Sequence, residues 1–256
     1  MQKNTPELWD KLWKKTSESE DQYNLAREEN GMRWQRIEKL IIKKFKTFRN
    51  LRVIEIGAGA GTNALLFAKN GAKITILDYS AKAIERSKEF FKRNNCKAKF
   101  ILADALKLPE EIIGKYDVSM SFGLAEHFQG KERQDIIKSH ISLLNKYGIA
   151  IISVPNKYNF PYRIYMAITK LFGMWNFGEE YPYSRNELKQ ICWNLKIDSI
   201  EFLSDSFWNS FRFINPFRKL MKKDISKIKK EKGSFWDQYL AYSLVLVINN
   251  SPTKKN

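Results

Sequence analysis

The segment Val53-Ile-Glu-Ile-Gly-Ala-Gly-Ala-Gly-Thr62 constrains this chain more than any other. A short β-rich run, 51–56, ends in glycines at 57, 59 and 61, and a helical stretch, 60–69, follows. Glycines at a strand end permit a tight turn and let a ligand approach the backbone. The helix behind them presents free N–H groups to a negative group. Asp78 comes 21 residues after Gly57, closing the next apolar run, 72–77. A doubly wound fold places a ribose-binding carboxylate there. The alternation continues with a helix over 80–93, capped by Ser80, and strands over 98–103 and 116–122. A helix over 131–144 and a strand over 148–154 complete it. Short apolar strands alternating with helices predict an α/β fold with a doubly wound, mainly parallel sheet covered on both faces.

On either side of this core the pattern changes. Residues 6–48 read as helical, with Ile37, Leu40, Ile41, Phe45 and Phe48 on one face. Residues 155–183 are rich in aromatics, Pro and Gly and read as irregular. Ser184-Arg-Asn-Glu187 is a capping box that restarts a helix to Trp193. A strand is expected over 197–203, an irregular or helical stretch over 205–237, and a last strand over 239–248. The organisation expected is one domain, 1–256: N-terminal helices (1–50), a cofactor-binding core (51–154), lid or substrate segments (155–183 and 205–237), and the last strand.

Composition narrows the function classes. The chain has 256 residues and a net charge of +17, and residues 206–256 alone carry 11 basic against 3 acidic groups. Such a balance favours anionic partners: nucleic acid, anionic lipid or a phosphorylated substrate. Two cysteines and two histidines make neither a disulfide framework nor a dedicated His/Cys metal site, so no metal is expected. The first twenty residues hold no signal-like apolar stretch, and no 18-residue apolar run occurs, so a cytoplasmic protein is expected.

The glycine pattern also discriminates between cofactors. A dinucleotide fingerprint, G-x-G-x-x-G, would place glycine where Thr62 stands. With Glu55 ahead of it the pattern is E-x-G-x-G-x-G, which resembles the first motif of the class I S-adenosylmethionine-dependent methyltransferases. Leu77-Asp78-Tyr79-Ser80 resembles their second motif and Ala103-Asp104-Ala105 their third. Tyr116 to His127 resembles the fourth strand and its exit, and Leu143 to Asn156 the helix end and fifth strand. The resemblance covers residues 50–156 and points to the small-molecule branch that includes ubiquinone-type O-methyltransferases. It implies a seven-stranded sheet with an antiparallel last strand, helical lids and S-adenosyl-L-methionine as cofactor. Gly57, Ala58, Gly59 and Gly61 would face its amino-acid end, Asp78 and Tyr79 its ribose, and Asp104 and Ala105 its adenine. Glu55 would anchor the glycine loop, and Ser121 and Phe122 would complete the cofactor pocket.

The acceptor is less constrained. Glu126 and His127, after strand 4, are the candidate acid–base groups. His140 lies mid-helix and reads as structural. The N/D-P-P-Y/F turn of enzymes that methylate exocyclic amino groups is replaced by Ser121-Phe-Gly-Leu124, which disfavours that chemistry. Tyr158, Tyr162, Arg163 and Trp175, with Phe160 and Tyr181, are candidates to line the acceptor pocket. The N-terminal Trp9, Trp13 and Trp34 are expected to close over the cofactor. The segment 205–237 interleaves aromatics with Lys and Arg. It fits a lid over an apolar acceptor, a peripheral contact with anionic membrane, or RNA binding, in that order. The expected function is methyl transfer, at oxygen, to a small molecule, a glycan or a lipid-linked intermediate. An RNA methyltransferase and a non-catalytic cofactor-binding protein are the alternatives.

Overall fold

The computed structural model describes residues 4–14, 17–213 and 224–250. Its centre is one sheet of seven strands in the order β3-β2-β1-β4-β5-β7-β6. The strands are β1 (Arg52–Ile56), β2 (Lys73–Asp78), β3 (Ala98–Leu102), β4 (Tyr116–Phe122), β5 (Leu144–Pro155), β6 (Ile200–Ser204) and β7 (Ser243–Asn249). The first five pair in parallel, and β7 lies antiparallel between β5 and β6. The sheet reverses its winding between β1 and β4, and the carboxyl ends of those strands open the crevice where doubly wound folds bind ligands.

Strand residues alternate between two apolar layers, as a pleat with period two requires. Val53, Ile74, Ile76, Val118 and Ile149 point to one face and pack against α3 (Met32–Phe45), α4 (Thr62–Lys69) and α5 (Ala81–Arg93). Ile54, Leu77, Ala150, Ile152 and Leu246 point to the other, against α6 (Glu132–Ser142) and α8 (Arg185–Asn194). The N-terminal stretch is three helices: α1 (Pro6–Lys14), α2 (Glu18–Asn30) and α3. Caps set the starts. Ser80 Oγ accepts from the Ala83 N–H at 3.0 Å, and Ser184 Oγ accepts from the Glu187 N–H at 3.2 Å, as the sequence predicts.

Two expectations need correction. The aromatic stretch after β5 is not irregular throughout: Phe160–Leu171 forms α7. Asn159 caps it, Oδ1 accepting from the Tyr162 N–H at 2.9 Å, and Pro161 sits in the first turn. Of its buried residues, Tyr162, Met166 and Thr169 recur at helical spacing, while Ile164, Ile168 and Leu171 face outward. The stretch 239–242 is not strand: Asp237–Leu240 is a short helix, α9, and β7 begins at Ser243. Of the segment 205–237, residues 214–223 lie outside the described residues.

Candidate active site

The glycine loop is shaped by its own backbone and by two buried carboxylates. Glu55, at the end of β1, accepts the Ala64 N–H at 2.7 Å and so ties the start of α4 to the strand. Asp78 accepts the Gly59 N–H through Oδ2 and the Ser80 N–H through Oδ1, both at 2.9 Å. Burial raises the affinity of both for a proton: Glu55 is pushed up to about 8, opposed by the Ala64 N–H and Arg33. Asp78 is raised too, opposed by the N–H groups of Ser80, Gly59 and Tyr79. Gly59 has φ +55°, and a Cβ there would lie 2.2 Å from the Trp13 ring. The loop is therefore bare backbone overlaid by α1. At Gly61 (φ +75°) a Cβ would strike Ile76 at 2.7 Å. Gly61 thus serves the close packing of α4 on the sheet.

A cavity of about 620 Å³ runs from this loop across the carboxyl ends of the strands. Gly57, Ala58, Gly59, Asp78 and Tyr79 line it at one end, with Asp104, Ala105 and Phe122 beside them. Glu126, His127, Tyr162 and Trp175 line it at the other. The remaining residues singled out in the sequence lie elsewhere. Glu55 is behind the loop, in the anchoring role expected of it. Ser121 is buried with its hydroxyl on His140 Nε2 at 2.9 Å, and Ser119 holds the other ring nitrogen at 2.6 Å. His140 is thus structural. Tyr158 and Arg163 are exposed and outside the cavity. Phe160 stacks on Phe207 and Phe211, and Tyr181 hydrogen-bonds Gln129 and Glu179.

The acceptor end is assembled from segments far apart in sequence. The turn Ala125–His127 is strapped to residues 179–183. His127 Nδ1 donates to the Glu179 carbonyl at 2.8 Å, the Tyr181 N–H to the Glu126 carbonyl at 2.8 Å, and the Tyr183 hydroxyl to the Ala125 carbonyl at 3.1 Å. Asn4 closes the join, its amide donating to the carbonyls of His127 and Glu179, each at 3.0 Å. Trp9 of α1 meets the His127 ring edge-on at 4.9 Å. Burial pushes His127 down to about 4, against the pull of the Glu179 and Gly123 carbonyls, so the ring is neutral at ordinary pH.

Sequence reasoning missed Glu180, Asn4, Leu124, Phe177 and Tyr242, all on the cavity wall. Glu180 Oε2 accepts the Tyr162 hydroxyl at 2.5 Å. The acidic pair Glu179-Glu180, set within an aromatic stretch, was the signal that could have found it. Among the described residues, Glu126, His127 and Glu180 also form the group whose ligand atoms lie close enough, within 4.8 Å, to gather a cation.

This arrangement can be set beside known proteins. A family model described as a methyltransferase domain matches residues 53–148, the span from β1 into β5. Residues 53–148 are thus similar to a methyltransferase domain. A ubiquinone biosynthesis O-methyltransferase of Pelagibacter ubique is 31% identical over 134 residues, which cover 50% of this chain and 54% of that protein. One from Rickettsia bellii is 21% identical over 211 residues, covering 81% of this chain and 86% of its own length. The match thus spans about half the length of the first of these relatives. Among solved structures, a SAM-dependent methyltransferase of Thermotoga maritima superposes with a TM-score of 0.61 at 14% identity, covering 95% of this chain and 100% of that one. Magnesium protoporphyrin IX methyltransferase of Synechocystis, solved with bound SAH, gives 0.59 at 16%, covering 96% and 93%. The glycine loop, Asp78 and Asp104 of this chain fit a cofactor of that kind, because the loop is a cradle that any side chain at position 59 would fill.

Proposed function

We propose that the whole chain, 1–256, works as one S-adenosylmethionine-dependent methyltransferase acting on a small-molecule acceptor, at oxygen. The observation that carries this is the continuity of one cavity from the glycine loop to the Glu126–His127 turn. The bound cofactor supplies an activated methyl carbon. The protein then has to hold, align and exclude water. The backbone at Gly57–Gly59 receives the amino-acid end, Asp78 the ribose hydroxyls with Tyr79 alongside, and Asp104 and Ala105 the adenine. Trp9, Leu12 and Trp13 of α1 close the cavity from above.

A hydroxyl acceptor must lose its proton as the methyl arrives. His127 is neutral and lines the cavity, with Nδ1 held by the Glu179 carbonyl and the Gly123 carbonyl also acting on the ring. We assign it the role of base. Tyr162 and Trp175 form the acceptor wall, while Arg163 and Tyr158 stand outside it. Calorimetric titration with S-adenosylhomocysteine, with NADH as control, tests the reading. Binding of the first alone is expected; binding of NADH alone, or of neither, rejects it.

A second proposal concerns where the protein works: peripherally, against anionic membrane, with access to a lipid-linked acceptor. Ile164, Ile168, Leu171 and Phe172 of the α7 region are 48–80% exposed, and Trp208, Phe235 and Trp236 are exposed beside the basic segment. No helix among the described residues is long and apolar enough to cross a membrane. Deleting 205–237 is a poor test, because Asp237 is buried and bonds the Phe207 N–H, Ser234 and Arg36. Replacing Leu171, Phe172, Trp208 and Phe235 by serine should abolish flotation with phosphatidylglycerol vesicles; unchanged flotation rejects the contact. RNA is less favoured, since the cavity that would receive a base carries acidic side chains and, among the described residues, no lysine or arginine.

A further inference from the structure

The chain carries a net charge of +17, yet the wall of its main cavity has the opposite sign. Among the described residues no lysine or arginine lines it, whereas Asp78, Asp104, Glu126, Glu132, Glu179 and Glu180 do. Asp78 and Asp104 belong to the cofactor end. Glu126 and Glu180 face the acceptor end, and the sulfonium-binding reading gives them no partner.

Glu126 is 3% exposed, and its Oε2 is buried with no hydrogen-bond partner. An unpaired carboxylate oxygen in such a place is costly unless a ligand completes it. Glu180 stands close by, one oxygen already on the Tyr162 hydroxyl. Burial and the Glu180 charge raise Glu126 well above the usual carboxylate range. Arg133 and Arg33 act on it from outside the cavity, but each is engaged elsewhere, Arg133 with Glu187 at 2.7 Å and Arg33 with Glu28 at 2.7 Å. Lys170 acts on Glu180, and its ammonium lies 5.6 Å from the Trp175 ring centroid. The remaining wall at this end is aromatic: Trp9, Tyr162, Tyr165, Trp175, Phe177 and Tyr242. Two carboxylates set in aromatic faces make a receptor for an organic cation.

We propose that the acceptor carries a protonated amine that docks between Glu126 and Glu180, on an otherwise aromatic or apolar small molecule. This rests on the methyltransferase reading and names the class of its substrate. The ammonium supplies the donors that Glu126 lacks and offsets the charge that burial and Glu180 oppose there. The same wall rejects an anionic acceptor, for which it offers no counter-charge. A divalent ion is the other cation these groups could gather. The aromatic wall favours the amine.

Three phenols of one shape and different charge test this: tyramine, para-ethylphenol and para-hydroxyphenylpropionate. Each is titrated by calorimetry into the full-length protein saturated with S-adenosylhomocysteine. Tyramine should bind about tenfold tighter than the neutral phenol, and the anion weakest. Glu126→Gln and, separately, Glu180→Gln should erase that preference while S-adenosylhomocysteine affinity and melting temperature hold. Equal affinities, preference for the anion, or binding of none of the three to the loaded protein overturns the inference. So does a magnesium titration in which Glu126→Gln abolishes ion binding and tyramine shows no preference. Failure of S-adenosylhomocysteine itself to bind is a different result, which removes the functional reading beneath it.

Discussion

The two ends of the cavity are built by different means. The cofactor end is backbone: a strand end, a glycine loop and a helix start within Val53–Thr62, braced by Glu55 and Asp78 from adjacent strands. The acceptor end is side chains: Glu126, His127, Tyr162, Trp175 and Glu180, brought together by bonds among residues 4, 125–127 and 179–183. A surface made of backbone tolerates little but glycine and serves one ligand. A surface made of side chains on loops can change partner without disturbing the sheet. The lesson is that the reaction class and the acceptor are encoded separately in this chain.

Substitutions can break that division or sharpen it. The largest effect is expected from Asp78→Ala, which removes the proposed ribose ligand and orphans the Gly59 and Ser80 N–H groups. Affinity for S-adenosylhomocysteine should fall by roughly 2–4 kcal/mol in calorimetry. Unchanged affinity would sink the ribose assignment. His127→Ala tests the other end. Cofactor affinity should hold while turnover of an accepted substrate falls about a hundredfold, and full turnover would reject the base. Gly59→Ala comes next. Its Cβ meets the Trp13 ring and its φ is unfavourable, so cofactor binding should weaken by about 1–3 kcal/mol. Pairing it with Trp13→Ala should recover the steric part, and no recovery would mean that α1 does not overlay the loop.

A further effect is electrostatic and confined to stability. Glu55 has a folded-state value near 8, against 4.5 for the unperturbed group. Its folded state therefore holds a proton that the unfolded chain releases above pH 4.5. The stability this confers is complete below pH 4.5 and is lost as the pH rises through about 8. Glu55→Gln keeps an acceptor for the Ala64 N–H and has no proton to lose. Its melting temperature should therefore vary less than that of the parent between pH 5 and 8.5. Identical slopes for the two proteins would show that Glu55 titrates normally.

Much of this was legible in the residues alone. The helix starts at Ser80 and Ser184, the strands Ile74–Leu77 and Ile149–Val154, and the cavity-lining positions Gly57, Gly59, Asp78 and Asp104 all follow from patterns within a few residues of each position. Helix α7 was missed because it starts among the Tyr, Asn, Phe and Pro of 158–161, which read as loop, although Tyr162, Met166 and Thr169 recur at helical spacing. The fates of Ser121 and Gly61 were not legible. Whether a strand-end serine faces a ligand or a buried histidine depends on which helix covers that face. Gly61 looks like its neighbours in sequence and differs from them only in having Ile76 across from it.

The sequence by itself determined the sheet, the glycine turn after β1 and the capped helix starts. Each rests on local backbone geometry, and glycine, capping and strand propensity act over short range. The tertiary structure alone decided the acceptor end. It brought Asn4, Glu126 and Glu180 to one wall, left Tyr158 and Arg163 outside it, and gave a basic protein an acidic cavity. No local pattern predicts such a wall, because its chemistry comes from which distant side chains the closed core forces to meet.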